Sequence, residues 1–182
     1  LRLGSADLTP PPGAFLQATQ EGETALVEAV KQALTGAKRV ADLFAGCGTF
    51  ALPLAKDAMV HAVEGDHDMV NALDHAWRNA EGLKRVTHEV RDLFRNPLLP
   101  DELAKFDAAV IDPPRAGAAA QVAEIAQAGI PRIAHVSCSP ATFARDTATL
   151  IRAGYDVEWI KVVDQFRWST HVELVALLRR DN

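Results

Sequence analysis

The sequence has few cysteines and no cluster of metal-binding residues. Its two cysteines, Cys47 and Cys138, are too few for a disulfide scaffold or for a four-cysteine zinc or iron–sulfur site within the chain. The six histidines are scattered and show no spacing typical of ligands. We therefore expect no metal site in this chain, and any chemistry must depend on other groups.

Long apolar runs and an excess of positive charge are also missing. No stretch approaches the roughly 18 apolar residues of a membrane span, and no signal peptide is visible, so we expect a cytoplasmic protein. The chain starts at Leu1, as a fragment of a longer protein would. With 19 basic and 24 acidic residues the formal charge is −5, which argues against a general nucleic-acid binder. Action on a nucleic acid would need a local basic patch or a second module.

The 182 residues, 48% of them hydrophobic, suffice for one domain with a sizeable core. Residues 1–19 read as an extended segment, and 20–182 as the domain. Helical periodicity predicts helices over 21–34, 49–55, 67–80, 118–128 and 141–153, and apolar runs predict strands over 39–44, 59–65, 87–92, 106–112, 132–138, 156–164 and 172–180. This alternation predicts a doubly wound α/β fold of the Rossmann type. Its seven-stranded sheet is mostly parallel, with an antiparallel C-terminal strand and helices on both faces.

A glycine-containing loop follows the first strand of the predicted sheet. Gly46 and Gly48 fit the pattern G-x-G-x-x-A, which lets a backbone pass close to a ligand. Glu64 ends the second strand, where a carboxylate can bind both hydroxyls of a ribose. Asp92 ends the third strand, where an adenine amino group would need an acceptor. These residues together predict a site for an adenosyl ligand.

Two adenosyl ligands fit this loop, a dinucleotide and S-adenosylmethionine. Asp42 lies four residues before the first glycine. A carboxylate at that position would repel a pyrophosphate but suits the cationic amino-acid end of S-adenosylmethionine. Asp42 therefore favours S-adenosylmethionine, and a dinucleotide oxidoreductase remains the alternative.

The later strand ends carry reactive side chains. Asp112-Pro113-Pro114-Arg115 follows the fourth strand, and Arg115 stands where an exocyclic-amine methyltransferase would have an aromatic residue. Cys138 follows the fifth strand just before a helix N-terminus, which predicts a lowered thiol pKa and a nucleophile, whereas a buried structural cysteine is the alternative. Cys47, inside the glycine loop, is interpreted as a packing residue. Glu173 enters the apolar last strand and is either a general base or a satisfied structural carboxylate.

Five segments, in order along the chain, resemble the RNA uracil-C5 methyltransferases that depend on S-adenosylmethionine. They are Phe15-Leu16-Gln17, Asp42-Leu43-Phe44-Ala45-Gly46-Cys47-Gly48, Asp112-Pro113-Pro114-Arg115-Ala116-Gly117, Val136-Ser137-Cys138-Ser139-Pro140 and His171-Val172-Glu173. The last three are quite specific as a set. The resemblance implies a class I methyltransferase catalytic domain that methylates C5 of a uridine in structured rRNA or tRNA.

The resemblance also implies residue roles. Cys138 would add to C6 of uracil, and Glu173 would remove the proton from C5. The target base must be splayed out of the RNA to reach them. Pro113 and Pro114 occupy the loop where cytosine-C5 enzymes carry a second cysteine, which favours uracil. The cofactor and target-base site would be lined by Gln17, Phe44, Thr49, Glu64, Asp92 and Asp112, in addition to Asp42, Gly46 and Gly48 of the glycine loop.

The sequence departs from the family at several points. Ser139 and Thr49 stand where the family usually has asparagine, although both can still form hydrogen bonds. Relatives carry an N-terminal RNA-binding module, in some cases with an iron–sulfur cluster, so we expect RNA binding to need a module outside this chain. A local phosphate-facing patch is the hypothesis for four basic residues, with solvated surface charge as the alternative: Arg115, Arg145, Lys161 and Arg167. A methyltransferase with another acceptor and a non-catalytic S-adenosylmethionine- or RNA-binding module remain alternative functions.

Overall fold

The computed structural model describes residues 1–14, 16–17, 19–165 and 172–181. The helices are α1 (Gln20–Ala33), α2 (Ala51–Leu54), α3 (His67–Arg78), α4 (Pro100–Leu103), α5 (Ala119–Ala128) and α6 (Pro140–Arg152). The strands are β1 (Arg2–Leu3), β2 (Ala6–Asp7), β3 (Arg39–Leu43), β4 (Met59–Glu64), β5 (Val86–Val90), β6 (Ala108–Ile111), β7 (Arg132–Ser137), β8 (Asp156–Val163) and β9 (Glu173–Arg179).

Seven strands form one sheet in the order β5-β4-β3-β6-β7-β9-β8. Every neighbouring pair is parallel except those of β9, which runs antiparallel to both β7 and β8. The predicted seven-stranded, mostly parallel sheet with an antiparallel last strand is therefore confirmed. The strand order reverses at β3, because β4 and β5 lie on one side of it and β6 and β7 on the other. Such a switch point opens a crevice at the carboxyl ends of the strands.

The helices cover both faces of the sheet. One buried cluster joins α1, α2 and α3 to one face through residues such as Leu26, Leu54 and Leu73. A second joins α4, α5 and α6 to the other face through residues such as Leu103, Ile125 and Leu150. Because both faces are covered, the central strands β3, β6 and β7 are buried along almost their whole length.

The first residues fold back instead of staying extended throughout. Strands β1 and β2 form a small antiparallel hairpin, with Leu3 paired to Ala6. Leu3, Ala6 and Leu8 are buried in a third cluster, which also contains Cys47 of the glycine loop. The expected extended segment misses this turn, because two-residue strands leave no readable period in a sequence. The short helix α4 is missing from the sequence-based prediction for the same reason.

Candidate active site

A cleft of about 760 Å³ opens at the carboxyl ends of the parallel strands. Nine of the eleven residues predicted for the site line it together: Gln17, Phe44, Gly46, Thr49, Glu64, Asp92, Asp112, Cys138 and Glu173. Asp42 and Gly48 are not part of the lining. A second cavity, of about 560 Å³, lies between the N-terminal hairpin and α1 and shares no lining residue with the cleft.

The antiparallel direction of β9 brings Glu173 to the same edge as Cys138. Strand β7 ends at Ser137, which pairs in register with Leu174 of β9. Glu173 is the first residue of β9, and Cys138 directly follows β7. Two residues that are 35 positions apart in the sequence therefore enter one cleft from adjacent strands. A parallel last strand would have placed Glu173 at the opposite edge of the sheet.

Glu64 holds the glycine loop against the end of β4. Its Oε2 accepts a hydrogen bond from the Gly46 amide over 2.9 Å, and its Oε1 accepts from the amides of Gly65 (2.7 Å) and Asp66 (3.1 Å). Gly46 has a φ of 54°, and a Cβ there would meet no atom within 4 Å. The backbone at Gly46 therefore borders open space, as a loop that cradles a ligand requires.

Gly48 and Cys47 form the part of the loop that packs against the protein interior. Gly48 has a φ of 94°, and a Cβ there would come within 3.0 Å of the Leu73 side chain and 3.1 Å of Leu52. Both the backbone conformation and the packing thus require glycine at this position. Cys47 is buried among apolar side chains, which confirms its interpretation as a packing residue. Burial also raises the pKa of its thiol, so it is a poor nucleophile.

Asp42 is a fully buried carboxyl behind the cleft. Neither of its oxygens forms a hydrogen bond with any group in the described part of the chain. Burial raises the pKa of Asp42 to about 7; the nearby Ala51 amide lowers it and the Glu64 carboxylate raises it further. A buried acid of this kind is either protonated or paired with a cation.

Asp112 faces the cleft from the loop after β6. Burial is the main cause that raises its pKa to about 8, and the carboxyl groups of Glu173, Asp42 and Glu64 contribute to the same shift. Three neighbouring carboxyl groups therefore oppose the ionised form of Asp112 at this edge of the sheet. A cationic ligand would relieve their mutual repulsion.

The prediction of a lowered thiol pKa for Cys138 is wrong. Burial is the largest cause that raises the pKa of this thiol above its usual range, and the carboxyl groups of Glu173 and Asp112 raise it further. The Arg115 guanidinium and a backbone amide lower it, but by less. The effect expected from the helix N-terminus is therefore outweighed, and the thiol is mainly protonated at neutral pH. Sequence position alone does not show the burial that decides this.

Glu173 is 4% exposed. Burial raises the pKa of its carboxyl group, and the charge of Arg115 partly offsets that shift. Arg115 thus favours the ionised forms of both Cys138 and Glu173. Within the described part of the chain, Arg115 is the only cationic side chain that shifts these two pKa values.

Two aromatic rings form one wall of the cleft. Phe44, which has a φ of 63°, packs against Phe94 with ring centroids 5.2 Å apart. Phe94 is 48% exposed, and the amide of Phe94 donates a hydrogen bond to Asp92 Oδ1 over 2.9 Å. Asp92 therefore shapes the turn that presents Phe94, and its second oxygen lies 3.6 Å from Arg95 Nε. Exposed apolar rings beside a carboxylate suit a flat base with an exocyclic amine.

Gln17 is held in the cleft by a residue that the sequence analysis missed. Gln165 Nε2 donates a hydrogen bond to Gln17 Oε1 over 2.9 Å, and Gln165 Oε1 accepts one from the Thr19 amide over 3.4 Å. The Gln165 side chain lies against Gly22, where any Cβ would collide with it. The segment after β8 thus fixes the segment before α1.

Ser139 serves as the N-cap of α6, since its hydroxyl accepts a hydrogen bond from the Thr142 amide over 3.4 Å. Serine and asparagine are both good N-caps, so this departure from the family pattern preserves the local structure.

Two residues of the hypothetical phosphate-facing patch bind groups of the protein itself. Arg145 binds Ala116 and Asp146, and Lys161 binds Gln32 beside Trp159. Phe15, Arg167 and His171 lie outside the described residues.

The cleft has further lining residues that the predicted set does not contain. They are Ala45, Gly65, Met69, Arg91, Leu93, Phe94, Pro113, Pro114 and Arg115. Four of them, Ala45, Pro113, Pro114 and Arg115, lie within the motifs already noted in the sequence. For the other five, proximity to the strand ends is the signal that could have indicated them. No three of the histidine, cysteine and acidic side chains that the structure describes converge as a metal site would require. The described helices also include none long and apolar enough to cross a membrane.

Comparisons with known proteins agree with this geometry. The family model for tRNA (uracil-5-)-methyltransferase matches residues 10–181. An uncharacterized RNA methyltransferase of Rhizobium meliloti is 56% identical over 173 residues, which are 95% of this chain and 42% of the relative. The 23S rRNA (uracil(1939)-C(5))-methyltransferase RlmD of Pseudomonas syringae is 41% identical over 91% of this chain and 38% of its own length. The chain thus spans about two fifths of the curated relatives it matches.

A solved structure matches the whole arrangement of elements. The tRNA (uracil-54, C5)-methyltransferase of Pyrococcus abyssi, in complex with S-adenosyl-L-homocysteine, superimposes with a TM-score of 0.82 and 29% identity. The match covers 97% of this chain and 43% of that one. The fold is that of the class I methyltransferases.

Proposed function

We propose, since this chain belongs to the tRNA (uracil-5-)-methyltransferase family, that it is the catalytic part of an RNA uracil-C5 methyltransferase. The substrate would be a uridine in structured RNA, either rRNA or tRNA, and the methyl donor S-adenosylmethionine. The observation that carries the proposal is the convergence of Cys138 and Glu173 in the cleft that also contains the glycine loop. The division into a segment 1–19 and a domain 20–182, and a cytoplasmic location, remain predictions.

The residues of the cleft fit S-adenosylmethionine. Its ribose hydroxyls would bind Glu64, and its adenine would lie by Phe94 with the amino group toward Asp92. Its cationic end would lie toward the buried acids, where Asp42 has no hydrogen-bond partner among the described residues. Gly46 leaves open space for such a ligand. When bound, S-adenosylmethionine supplies an electrophilic methyl group.

Cys138 would start the reaction by nucleophilic addition. C5 of uracil is a poor nucleophile, and a bond from the Cys138 thiolate to C6 moves an electron pair of the ring toward O4 and C5. Arg115 supports this step because its charge favours the thiolate. Since the thiol is otherwise mainly protonated, we expect substrate binding to be coupled to its deprotonation.

Glu173 would complete the reaction as a general base. Once C5 carries both the methyl group and its original proton, the Glu173 carboxylate takes that proton. The electron pair of the C5–H bond re-forms the C5–C6 double bond, and the sulfur–C6 bond breaks to release the thiolate. Asp112 and Gln17 face the same cleft and would hold the edge of the base or the amino-acid end of the donor.

Covalent trapping tests this proposal. The full-length protein is mixed with S-adenosylmethionine and RNA that contains 5-fluorouridine, and adducts that survive denaturation are mapped by mass spectrometry. Fluorine at C5 cannot leave as a proton, so the adduct should persist on Cys138. Cys138→Ala should give no adduct, whereas the control Cys47→Ala should retain it. Absence of any adduct from a protein that binds S-adenosylmethionine and the RNA would show that the acceptor is not uracil.

A further inference from the structure

The loop between β6 and α5 carries four residues that line the cleft, and two of them, Asp112 and Arg115, have ionisable side chains. It turns through a hydrogen bond from the Gly117 amide to the Pro114 carbonyl, over 2.8 Å. Neither end of this turn belongs to a helix or strand, so the position of Arg115 depends on what the loop packs against.

Helix α6 holds this loop through three side chains on one helical face. The Thr142 hydroxyl lies within hydrogen-bonding distance of the Arg115 carbonyl, at 3.2 Å, and of the Ser139 carbonyl, at 3.3 Å. Arg145 Nη2 donates to the Ala116 carbonyl over 3.0 Å. Asp146 Oδ2 accepts from the Ala118 amide over 2.7 Å. Residues three and four apart share a face of a helix, which is why these side chains reach one segment together.

The contact between helix and loop is close, and it is buried at Asp146 but open to solvent at Arg145, whose side chain is 49% exposed. Asp146 is 1% exposed, and its Oδ1 lies 2.8 Å from Arg145 Nη2 and 2.9 Å from Arg145 Nε. Gly117 has a φ of 77°, and a Cβ there would lie 2.7 Å from Asp146 Oδ2. A buried carboxylate needs such partners, and only glycine lets the loop backbone lie directly on them.

We propose that Thr142, Arg145 and Asp146 form a positioning clamp that fixes the loop of Asp112 and Arg115 relative to Cys138. Helix α6 connects the two parts of the site. It begins two residues after Cys138, and it binds the loop that carries Arg115. The clamp itself does not line the cleft. It acts through Arg115, which is the cation that favours ionisation of Cys138 and Glu173. The effect of the clamp on catalysis rests on the proposed function.

Alkylation of Cys138 tests the clamp without RNA or methyl donor. The rate of reaction with iodoacetamide is followed against pH in the full-length protein, with Cys138 read out by its own peptide in mass spectrometry. Arg145→Gln should release the loop and move the midpoint of the profile upward by about half a pH unit, because the Arg115 charge is then no longer held close to the thiol. The matched control on the same helix is Arg152→Gln, whose side chain binds only Thr149 in the described structure and should leave the profile unchanged.

A double variant separates positioning from a direct charge effect. Arg115→Gln should shift the midpoint in the same direction, and Arg115→Gln combined with Arg145→Gln should shift it no further, because both changes act through one group. An additive shift, or an unchanged midpoint in Arg145→Gln, would overturn the proposal. If Arg145→Gln does not fold, Thr142→Val decides: it should shift the midpoint upward, and Thr142→Ser should restore it. Because no RNA is involved, this result stands whether or not the trapping experiment yields an adduct.

Discussion

The carboxylate of Glu64 accepts a hydrogen bond from the amide of Gly46 over 2.9 Å, although the two residues are 18 positions apart. One side chain at the end of β4 therefore shapes the loop at the end of β3. The same carboxylate is the proposed acceptor for the ribose hydroxyls. Its loss should affect the ligand twice, through a missing contact and through a loop that is no longer held.

Glu64→Ala should weaken the binding of S-adenosylmethionine about 10- to 100-fold, since hydrogen bonds to a charged group contribute about 1.5–3 kcal/mol. Isothermal titration calorimetry measures this directly. Glu64→Gln keeps an acceptor for the Gly46 amide and should lose less affinity. Glu81→Ala, at an exposed carboxylate outside the cleft, is the control and should bind as the parent does. Equal affinity of Glu64→Ala and the parent would remove Glu64 from the ligand site.

Glu173→Gln should trap the covalent RNA complex on ordinary uridine. The substitution keeps the size of the side chain but removes the base, and loss of a general base typically slows proton transfer about 100-fold or more. The measurement is the lifetime of the Cys138 adduct after mixing with RNA and S-adenosylmethionine. Glu158→Gln, on the exposed edge strand β8, should leave that lifetime unchanged. An adduct that forms and decays at the parental rate in Glu173→Gln would assign the proton transfer to another group.

Asp42→Asn should stabilise the ligand-free protein more at about pH 7.5 than at about pH 4.5. Burial raises the pKa of Asp42 to about 7 in the folded state, from an ordinary value of 3.8. The folded state therefore binds this proton more tightly than the unfolded state does. The stability that the neutral acid confers is complete below the unfolded pKa and is lost as the pH rises through the folded pKa. Asparagine has no such proton to lose.

Thermal unfolding of the two proteins across this pH range provides the measurement. The gain in melting temperature of Asp42→Asn should grow between about pH 4 and pH 7 and then level off. Asp57→Asn, at an exposed carboxylate, serves as the control. A gain that does not depend on pH would mean that Asp42 is not protonated on folding.

Much of the cleft was predictable because its residues follow from strand order alone. Asp42, Glu64 and Asp112 each lie within one residue of the carboxyl end of a strand. In parallel strands those ends share one edge, so apolar runs and the residues that end them suffice to bring Glu64 and Asp112 together. Glu173 needed one further inference, that the last strand runs antiparallel, and the absence of a helix before it supplied that inference.

The features that escaped prediction depend on contacts between distant segments. Gln165 supports Gln17 from 148 positions away, and nothing in the local pattern around Gln165 indicates it. The pKa of Cys138 depends on burial and on carboxyl groups from two other segments, which outweigh the neighbouring helix terminus. Phe94 follows Asp92 closely, but its exposure to the cleft is a property of the folded turn.

Strand β9 is the last strand of the sheet in chain order, yet it lies inside the sheet, between β7 and β8. When the ribosome has made β8, that strand still lacks its neighbour, since β9 is its only sheet partner in the described part of the chain. The insertion of β9 then completes the sheet and delivers Glu173 beside Cys138 in the same event. During synthesis the thiol and its proposed base are therefore never assembled in an incomplete domain, and a nascent chain should be unable to methylate RNA until its sheet closes.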